Sequence, residues 1–307
     1  SHAECRACGF VFTCPNCDVA LTYHRFDESL RCHYCGANYK MPKTCPSCGR
    51  EYIKYTGIGT QQVEEQLKLV FPNVRCLRMD MDTTSGKTAH RDILDAFTRR
   101  EADVLIGTQM VAKGLDIPNV TLVGVVFADS TLFHSDFRSS ERTFQLLTQV
   151  AGRAGRADKE GRVVIQTNAP GHRAIRLCTK HDYKTFYNLE IGDRLRTLFP
   201  PFAVFVRAQF ACADENAAAD AAERFANGVT KTILTALKPA NAENELVFAL
   251  AGAAPIRRRE GLFRYAVIIK LVRTANTAAA INAIYAFSDG CADECYRGIE
   301  VNPQDML

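Results

Sequence analysis

Eight of the thirteen cysteines lie in the first 48 residues, as four Cys-x-x-Cys pairs: Cys5/Cys8, Cys14/Cys17, Cys32/Cys35 and Cys45/Cys48. Two intervening residues let both sulfurs of a pair face one metal ion. Tetrahedral zinc takes four thiolates, so four pairs make two closed structural sites. Glycine follows the second cysteine in three pairs (Gly9, Gly36 and Gly49), where the chain turns back past the metal and a positive φ is useful. Between Cys17 and Cys32, Val19, Leu21 and Tyr23, then Asp27-Glu28-Ser29, then Leu30 read as a hairpin. A hairpin joins its ends, which favours Cys14, Cys17, Cys32 and Cys35 as one site and Cys5, Cys8, Cys45 and Cys48 as the other. A sequential or interleaved pairing stays open. Disulfides or scattered thiols compete with this reading. A short segment with so few aliphatic residues needs a staple, however, and structural zinc adds on the order of 10–16 kcal/mol of folding energy. His33, inside the third pair, reads as an exposed residue rather than a ligand.

A second chemical signal is Gln149-Val150-Ala151-Gly152-Arg153-Ala154-Gly155-Arg156. Arg153 and Arg156 are three apart, on one side of a helical turn, and the glycines leave room for a close neighbour. Guanidinium is always charged and grips phosphate bidentately. Two such groups aimed together suit the charge of a transferring γ-phosphate. The competing reading is a solvated basic turn.

The elements that must position these residues follow from apolar periodicity. Strands are expected at about 52–56, 74–79, 104–107, 120–127 and 161–167, with helices at about 61–70, 88–99 and 142–152 between them. This alternation predicts an α/β unit with a parallel sheet. The runs Val104-Leu105-Ile106 and Val123–Phe127 are apolar throughout, as strands buried on both faces are. After Phe199-Pro200-Pro201-Phe202 the order is strand, helix, strand, strand, helix, strand, an α+β split βαβ pattern. Asp214 is the expected N-cap of its long helix. The divisions expected are residues 1–50, 51–198 and 199–307.

Composition bounds the rest. The chain has 307 residues, 47% hydrophobic and 23% charged, which excludes a disordered or fibrous chain. The formal net charge of +4 permits a nucleic-acid partner without demanding one. No apolar run is long enough for a membrane span, and no secretory leader is visible. The opening Ser-His-Ala, without Met, reads as a piece of a longer protein.

At the level of motifs the chain is identifiable. The Gln149–Arg156 pattern resembles motif VI of superfamily 2 helicases, and Gly107-Thr108-Gln109-Met110-Val111-Ala112-Lys113-Gly114-Leu115-Asp116, directly after a predicted strand, is similar to their motif V. With Phe137-Arg138-Ser139-Ser140-Glu141-Arg142-Thr143-Phe144-Gln145 and the eight cysteines, the chain resembles the C-terminal portion of the PriA family of replication-restart helicases, also called primosomal protein N′. The resemblance implies that the middle segment is the second of two RecA-like lobes that close on ATP and move 3′ to 5′ along DNA. It implies that Gln149, Arg153 and Arg156 contact ATP phosphates, that Gly114 and Asp116 lie at the nucleotide, and that Thr108 and Lys113 lie at the DNA. It further implies two zinc ions in the Cys-rich module. ATP and Mg²⁺ would be bound with the first lobe. Forked and single-stranded DNA, the single-stranded-DNA-binding protein and other primosome proteins are the implied partners, in the bacterial cytoplasm and away from membranes.

One departure matters. Ser85-Gly86-Lys87-Thr88 lacks the first glycine of a phosphate loop, because position 81 is Met81. No Asp-Glu-x-His or Asp-Glu-Ala-Asp string is present either. This stretch of chain therefore supplies half of an ATPase site and is expected to be inactive alone. Weaker expectations are Thr60 as a helix N-cap, Arg257-Arg258-Arg259 as a turn with Arg258 at a DNA phosphate, and Lys270 and Arg273 as candidates for docking an acidic tail. The alternative function is a zinc-stabilised DNA or protein adaptor without ATPase. A redox role is disfavoured, since four matched pairs suit metal better than a dithiol centre.

Overall fold

The computed structural model describes residues 2–24, 27–56, 59–80, 89–112, 120–133, 136–152, 161–237 and 245–304. The chain divides into two compact units, Ser1–Thr56 together with Ile191–Leu307, and Gly57–Glu190.

The Cys-rich part is a five-stranded antiparallel sheet of β1 (His2–Cys5), β2 (Thr22–His24), β3 (Ser29–Arg31), β4 (Asn38–Lys40) and β5 (Ile53–Thr56), in the order β4-β3-β2-β1-β5. The β2–β3 pairing is the hairpin expected between the second and third cysteine pairs. Its small core holds Ala3, Phe12, Leu21 and Leu30 beside Cys14, Cys17 and Cys32. Strand β5 departs from expectation. It pairs antiparallel with β1 from His2↔Thr56 to Cys5↔Ile53 instead of opening the parallel sheet. A strand of four residues carries no mark of its partner, and β1 offers it four residues to pair with.

The unit Gly57–Glu190 holds α1 (Thr60–Val70), β6 (Cys76–Met79), α2 (Ala89–Thr98), β7 (Val104–Gly107), α3 (Gln109–Ala112), β8 (Leu122–Val125), α4 (Asp129–Leu132), α5 (Ser139–Ala151), β9 (Arg162–Ile165) and α6 (Arg173–Cys178); α7 (Tyr183–Thr197) runs out of it. Strand β6 pairs parallel with β7, and β8 parallel with β9, as alternating strands and helices require. The expectation of burial on both faces fails for β8, and its partner β9 is likewise half-covered. Val125 and Ile165 pack on a core of Leu132, Phe144, Leu147, Ile175 and Phe186, whereas Leu122 and Val164 are 60% and 53% exposed. Among the described residues α4, α5 and α6 cover one face only, and apolar composition cannot say which face is covered. Phe144 stacks on Phe186 at 4.2 Å.

The last part reads β10 (Ala203–Cys212), α8 (Glu215–Ala236), β11 (Leu246–Arg259), β12 (Leu262–Val272), α9 (Thr277–Asp289) and β13 (Tyr296–Val301). Its sheet order, β11-β12-β10-β13 with every pairing antiparallel, is the split βαβ arrangement. Asp214 caps α8 by accepting the Ala217 N–H at 2.8 Å, as the sequence predicts. Ala218, Ala221, Ala222, Phe225, Val229 and Ile233 form the buried stripe of α8. Gly228 lets α9 approach, for a Cβ there would lie 2.5 Å from the Phe287 ring. Two expectations are corrected. Arg257-Arg258-Arg259 ends strand β11, and the turn is Glu260-Gly261, with Gly261 at φ +84°. Lys270 is buried, donating to the Thr197 carbonyl at 2.9 Å with the Phe199 ring 4.8 Å away, so it is not a docking residue on the surface.

Candidate functional site

The four Cys-x-x-Cys turns share one backbone geometry. The amide four residues after the first cysteine donates back to that cysteine's carbonyl: Gly9 to Cys5, Asp18 to Cys14, Gly36 to Cys32 and Gly49 to Cys45, at 2.8–3.0 Å. Each first cysteine's own N–H bonds the carbonyl five residues on, at Phe10, Val19, Ala37 and Arg50. All four turn residues have positive φ, 46° at Asp18 and 71–74° at the glycines. Aspartate is among the few other residues that tolerate this region, so the missing glycine of the second pair is explained.

These turns bring the sulfurs together in the nested arrangement. Cys5, Cys8, Cys45 and Cys48 form one cluster and Cys14, Cys17, Cys32 and Cys35 the other, with all ligand atoms of a cluster within 4.8 Å. Opposed sulfurs stand 3.7 Å apart in Cys5–Cys48, Cys8–Cys45 and Cys14–Cys35. A tetrahedron with zinc–sulfur bonds of about 2.3 Å has edges of about 3.8 Å, so both clusters fit zinc. All thirteen cysteines are free thiols. His33 is exposed and belongs to neither cluster; its ring lies 5.3 Å from that of His24.

The inner cluster has an outer shell that spacing did not reveal. The Glu260 N–H donates to Cys17 Sγ at 3.3 Å, the Gly261 N–H to the Asn16 carbonyl at 2.9 Å, and Arg258 to the Pro15 carbonyl at 3.0 Å. Arg259 lies over the Tyr34 ring at 5.5 Å. The β11–β12 turn thus seats on the second cysteine turn. Arg258, expected at a DNA phosphate, spends its guanidinium here and over Phe263. The only advance signal was Glu-Gly between two predicted strands, which marks a turn and not its partner.

In the other unit, Thr108 follows β7 as an exposed bend residue, its carbonyl accepting the Val111 N–H. The turn is tight, since a Cβ on Gly107 would meet Val111 Cγ2 at 2.1 Å and the Met79 carbonyl at 2.7 Å. Gln149 is exposed on the last turn of α5, which ends at Ala151 with Gly152 as C-cap. Lys113, Gly114, Asp116, Arg153 and Arg156 lie outside the described residues, as does Lys87. Thr60 is the first helical residue of α1, not its cap. It donates to Asp80 at 2.5 Å, and Arg78 reaches the same carboxylate at 2.8 Å.

Sequence reasoning passed over the carboxylate at the entry to α5. Asp136, its side chain 1% exposed, accepts from Arg138 at 3.0 Å and holds Arg142 at 3.4 Å. Burial works against its charge, but the Arg138 hydrogen bonds and both guanidinium charges hold the carboxyl below the usual carboxylate range. Asp129, also buried, accepts from Thr167 and the Asn168 N–H at 2.7 and 2.8 Å and ties the end of β9 to α4. Neither carboxylate has a spacing signature.

Comparison with known proteins places these features. Residues 14–40 match the "PriA DNA helicase Cys-rich region (CRR) domain", and residues 52–158 match the "Helicase conserved C-terminal domain". The chain is 46% identical over 284 residues to the replication restart protein PriA of Bacillus subtilis, covering 92% of this chain and 34% of that protein. It is 49% identical over 210 residues to the PriA of Synechocystis sp., 67% of this chain and 25% of that one. For the PriA of Haemophilus influenzae the figures are 45% over 198 residues, 64% and 27%. The chain spans about a third or less of the length of these relatives. Among the described residues no helix is long and apolar enough to cross a membrane.

Proposed function

We propose, from the premise that this chain belongs to the PriA family of replication restart proteins, that it carries the zinc module, the second motor lobe and the C-terminal domain of an ATP-dependent 3′–5′ DNA helicase that restarts stalled forks. The observation that carries this reading is the helicase C-terminal match over residues 52–158, which spans the β6–β7 pair and β8 and includes both arginines of the Gly-Arg-Ala-Gly-Arg run. The three functional parts are residues 1–50, 51–198 and 199–307. The match speaks against the adaptor reading, which needs no motor lobe.

In this reading Cys5, Cys8, Cys45 and Cys48 hold one zinc ion and Cys14, Cys17, Cys32 and Cys35 a second. With all four positions taken by protein, both are structural. Thr108 meets the DNA backbone from the tight turn after β7, with Lys113 beside it, and Gly114 and Asp116 flank the nucleotide. Gln149, on the last turn of α5, contacts the ATP phosphates together with Arg153 and Arg156, which stabilise charge on the transferring phosphate. ATP with Mg²⁺ supplies the free energy when bound with the first lobe. The protein works in the bacterial cytoplasm on forked and single-stranded DNA, together with the single-stranded-DNA-binding protein and other primosome proteins.

The test is ATP turnover by the full-length protein on forked DNA. Removing Arg153 or Arg156 should cut it by roughly 10³-fold or more if either is a finger; a loss below tenfold would favour the adaptor. The 307-residue chain alone should hydrolyse no ATP, and elemental analysis should find two zinc ions per chain.

A further inference from the structure

The two sulfur clusters are alike in ligands and unlike in surroundings. In the outer cluster Cys5 and Cys45 are buried, while Cys8 and Cys48 are exposed. In the inner cluster Cys14, Cys17 and Cys32 are buried and Cys35 is half-buried. Their hydrogen-bond donors differ too. Cys5 accepts from the Ala7 and Cys8 amides and Cys48 from that of Arg50, while Cys14 accepts from Asn16 and Cys32 from Tyr34 and Cys35. Each of these donors sits within a few residues of the sulfur it serves. Cys17 instead accepts from the Glu260 N–H, 243 residues along the chain, at 3.3 Å. Among the described residues no hydrogen bond runs from the C-terminal part to Cys5, Cys8, Cys45 or Cys48.

The Glu260-Gly261 corner grips the inner cluster from two sides. On the second cysteine turn the Gly261 N–H reaches the Asn16 carbonyl at 2.9 Å and Arg258 the Pro15 carbonyl at 3.0 Å. On the third turn Arg259 lies over the ring of Tyr34, which stands between Cys32 and Cys35. Both halves of the cluster are thus tied to one hairpin of the C-terminal part, within a single compact unit. Charge acts in the same sense. Zinc with four thiolates carries two negative charges. Arg258 and Arg259 flank the corner, and Arg264 stands beside Arg259 and Arg207, whose charges add to burial in lowering its pKa. A zinc–thiolate site opens when an incoming ligand reaches the metal and a sulfur swings away. An exposed sulfur has room to do so. A buried sulfur held by a distant amide does not, and such outer-shell partners fix the orientation of the ligands they touch.

We propose that the β11–β12 corner is a retaining clamp for the inner zinc, and that the two metals are therefore unequal. The outer site exchanges its zinc with an external thiol or aminocarboxylate ligand through Cys8 and Cys48. The inner site gives up its zinc only when the C-terminal hairpin lifts. In the exchange the incoming ligand bonds to zinc as Cys8 or Cys48 leaves, the freed thiolate takes a proton from water, and no oxidation state changes. Coupling of this kind is reciprocal, so zinc in the inner site also fixes the corner and links the Cys-rich module to the C-terminal sheet. The inference rests on zinc occupying both clusters and does not depend on ATP turnover.

The experiment uses the 307-residue chain loaded with zinc and an excess of a chromogenic chelator. Zinc should leave in two phases of one ion each, the second about tenfold slower or more. Quenching after the first phase with N-ethylmaleimide and mapping the eight cysteines should find label on Cys5, Cys8, Cys45 and Cys48 and none on the inner four. The double variant Arg258→Ala/Gly261→Ala removes one tether and strains the corner, because Gly261 has φ +84°. It should speed the second phase by about tenfold and leave the first unchanged. Arg257→Ala, on the same strand but paired with Glu215, should change neither. Equal release rates in the unaltered chain, or label appearing first on the inner four, overturn the proposal. So does a double variant that speeds both phases alike, which is a general loss of stability. If the double variant does not fold, amide exchange on the unaltered chain decides. The Glu260 and Gly261 amides should stay protected when the outer zinc has gone and open when the inner one follows, with the rest of the sheet still protected. Corner protection that ignores the inner metal rejects the clamp. A chain that holds fewer than two zinc ions rejects the zinc reading itself, and the clamp with it.

Discussion

The Cys-rich module and the C-terminal sheet are both small antiparallel structures, and they are stabilised by opposite means. In the C-terminal part, two helices press a continuous apolar layer of Phe210, Phe225, Val229, Ile233, Ile269 and Ile284 onto a four-stranded sheet. Among the described residues of the module no helix covers the sheet. Among those residues, five of the nine buried apolar positions are cysteines placed at the metal clusters. Thiolates gathered this closely repel one another until a cation joins them, so the module's stability comes with its metal. The difference teaches that strand pairing alone decides little. What lies against the sheet, aliphatic side chains or metal–sulfur bonds, sets what can unfold it.

The strongest way to break the comparison is to remove zinc. A chelator, or Cys32→Ser, should unfold residues 2–56 and leave the sheet of residues 203–301 protected, as read by amide hydrogen exchange. The expected loss for the module is on the order of 10 kcal/mol; equal protection in both regions would refute the contrast. Acid should separate them in the same way. Protons compete with zinc for the thiolates, so the module should open in mild acid. In the C-terminal part the Cys295 N–H and the Arg224 guanidinium hold the Asp293 carboxyl below its ordinary range. Its stabilisation is present above the unfolded pKa and is lost only as pH falls through the lower folded value. A pH titration followed by exchange should therefore open the module first.

Next in size, Phe225→Ala should cost about 3–5 kcal/mol in the C-terminal part alone. Phe225 is buried and touches the rings of Phe210, Phe287 and Tyr296. A chemical denaturation curve reads the loss, and zinc content should stay at two. Gly36→Ala acts on the other side. Space is open around it, but φ is +73°, so the expected cost is about 1–2 kcal/mol, seen as weaker zinc retention against a competing chelator. Smallest is Asp214→Ala, which removes the α8 cap and should lower stability by about 1 kcal/mol without touching metal affinity.

The two regions were also unequally legible. In the module, the β2–β3 hairpin was readable from Val19, Leu21, Tyr23 and Leu30, and a hairpin favours joining the cysteine pairs that flank it, the arrangement the structure has. The Asp18 turn was readable only in the structure, since aspartate marks many turns. In the C-terminal part, the alternation of Val267, Ile269 and Leu271 announced a strand. It could not announce that Lys270, on the reverse side, would be roofed by Thr197 and Phe199. The arginine triplet read as a turn because charge and turn usually coincide; strand β11 instead carries it to the Glu260-Gly261 corner.

Local periodicity and the Cys-x-x-Cys spacing therefore determined the expected strands and helices, the four cysteine pairs and the motifs of the motor lobe, because each depends on neighbours a few residues apart. The tertiary structure decided that β5 completes the cysteine sheet, that the β11–β12 turn donates to Cys17, and that Arg264 stands beside Arg207 and Arg259. Those facts depend on segments up to 243 residues apart meeting in space. No local pattern records such meetings, because the free energy that selects them belongs to the packed whole.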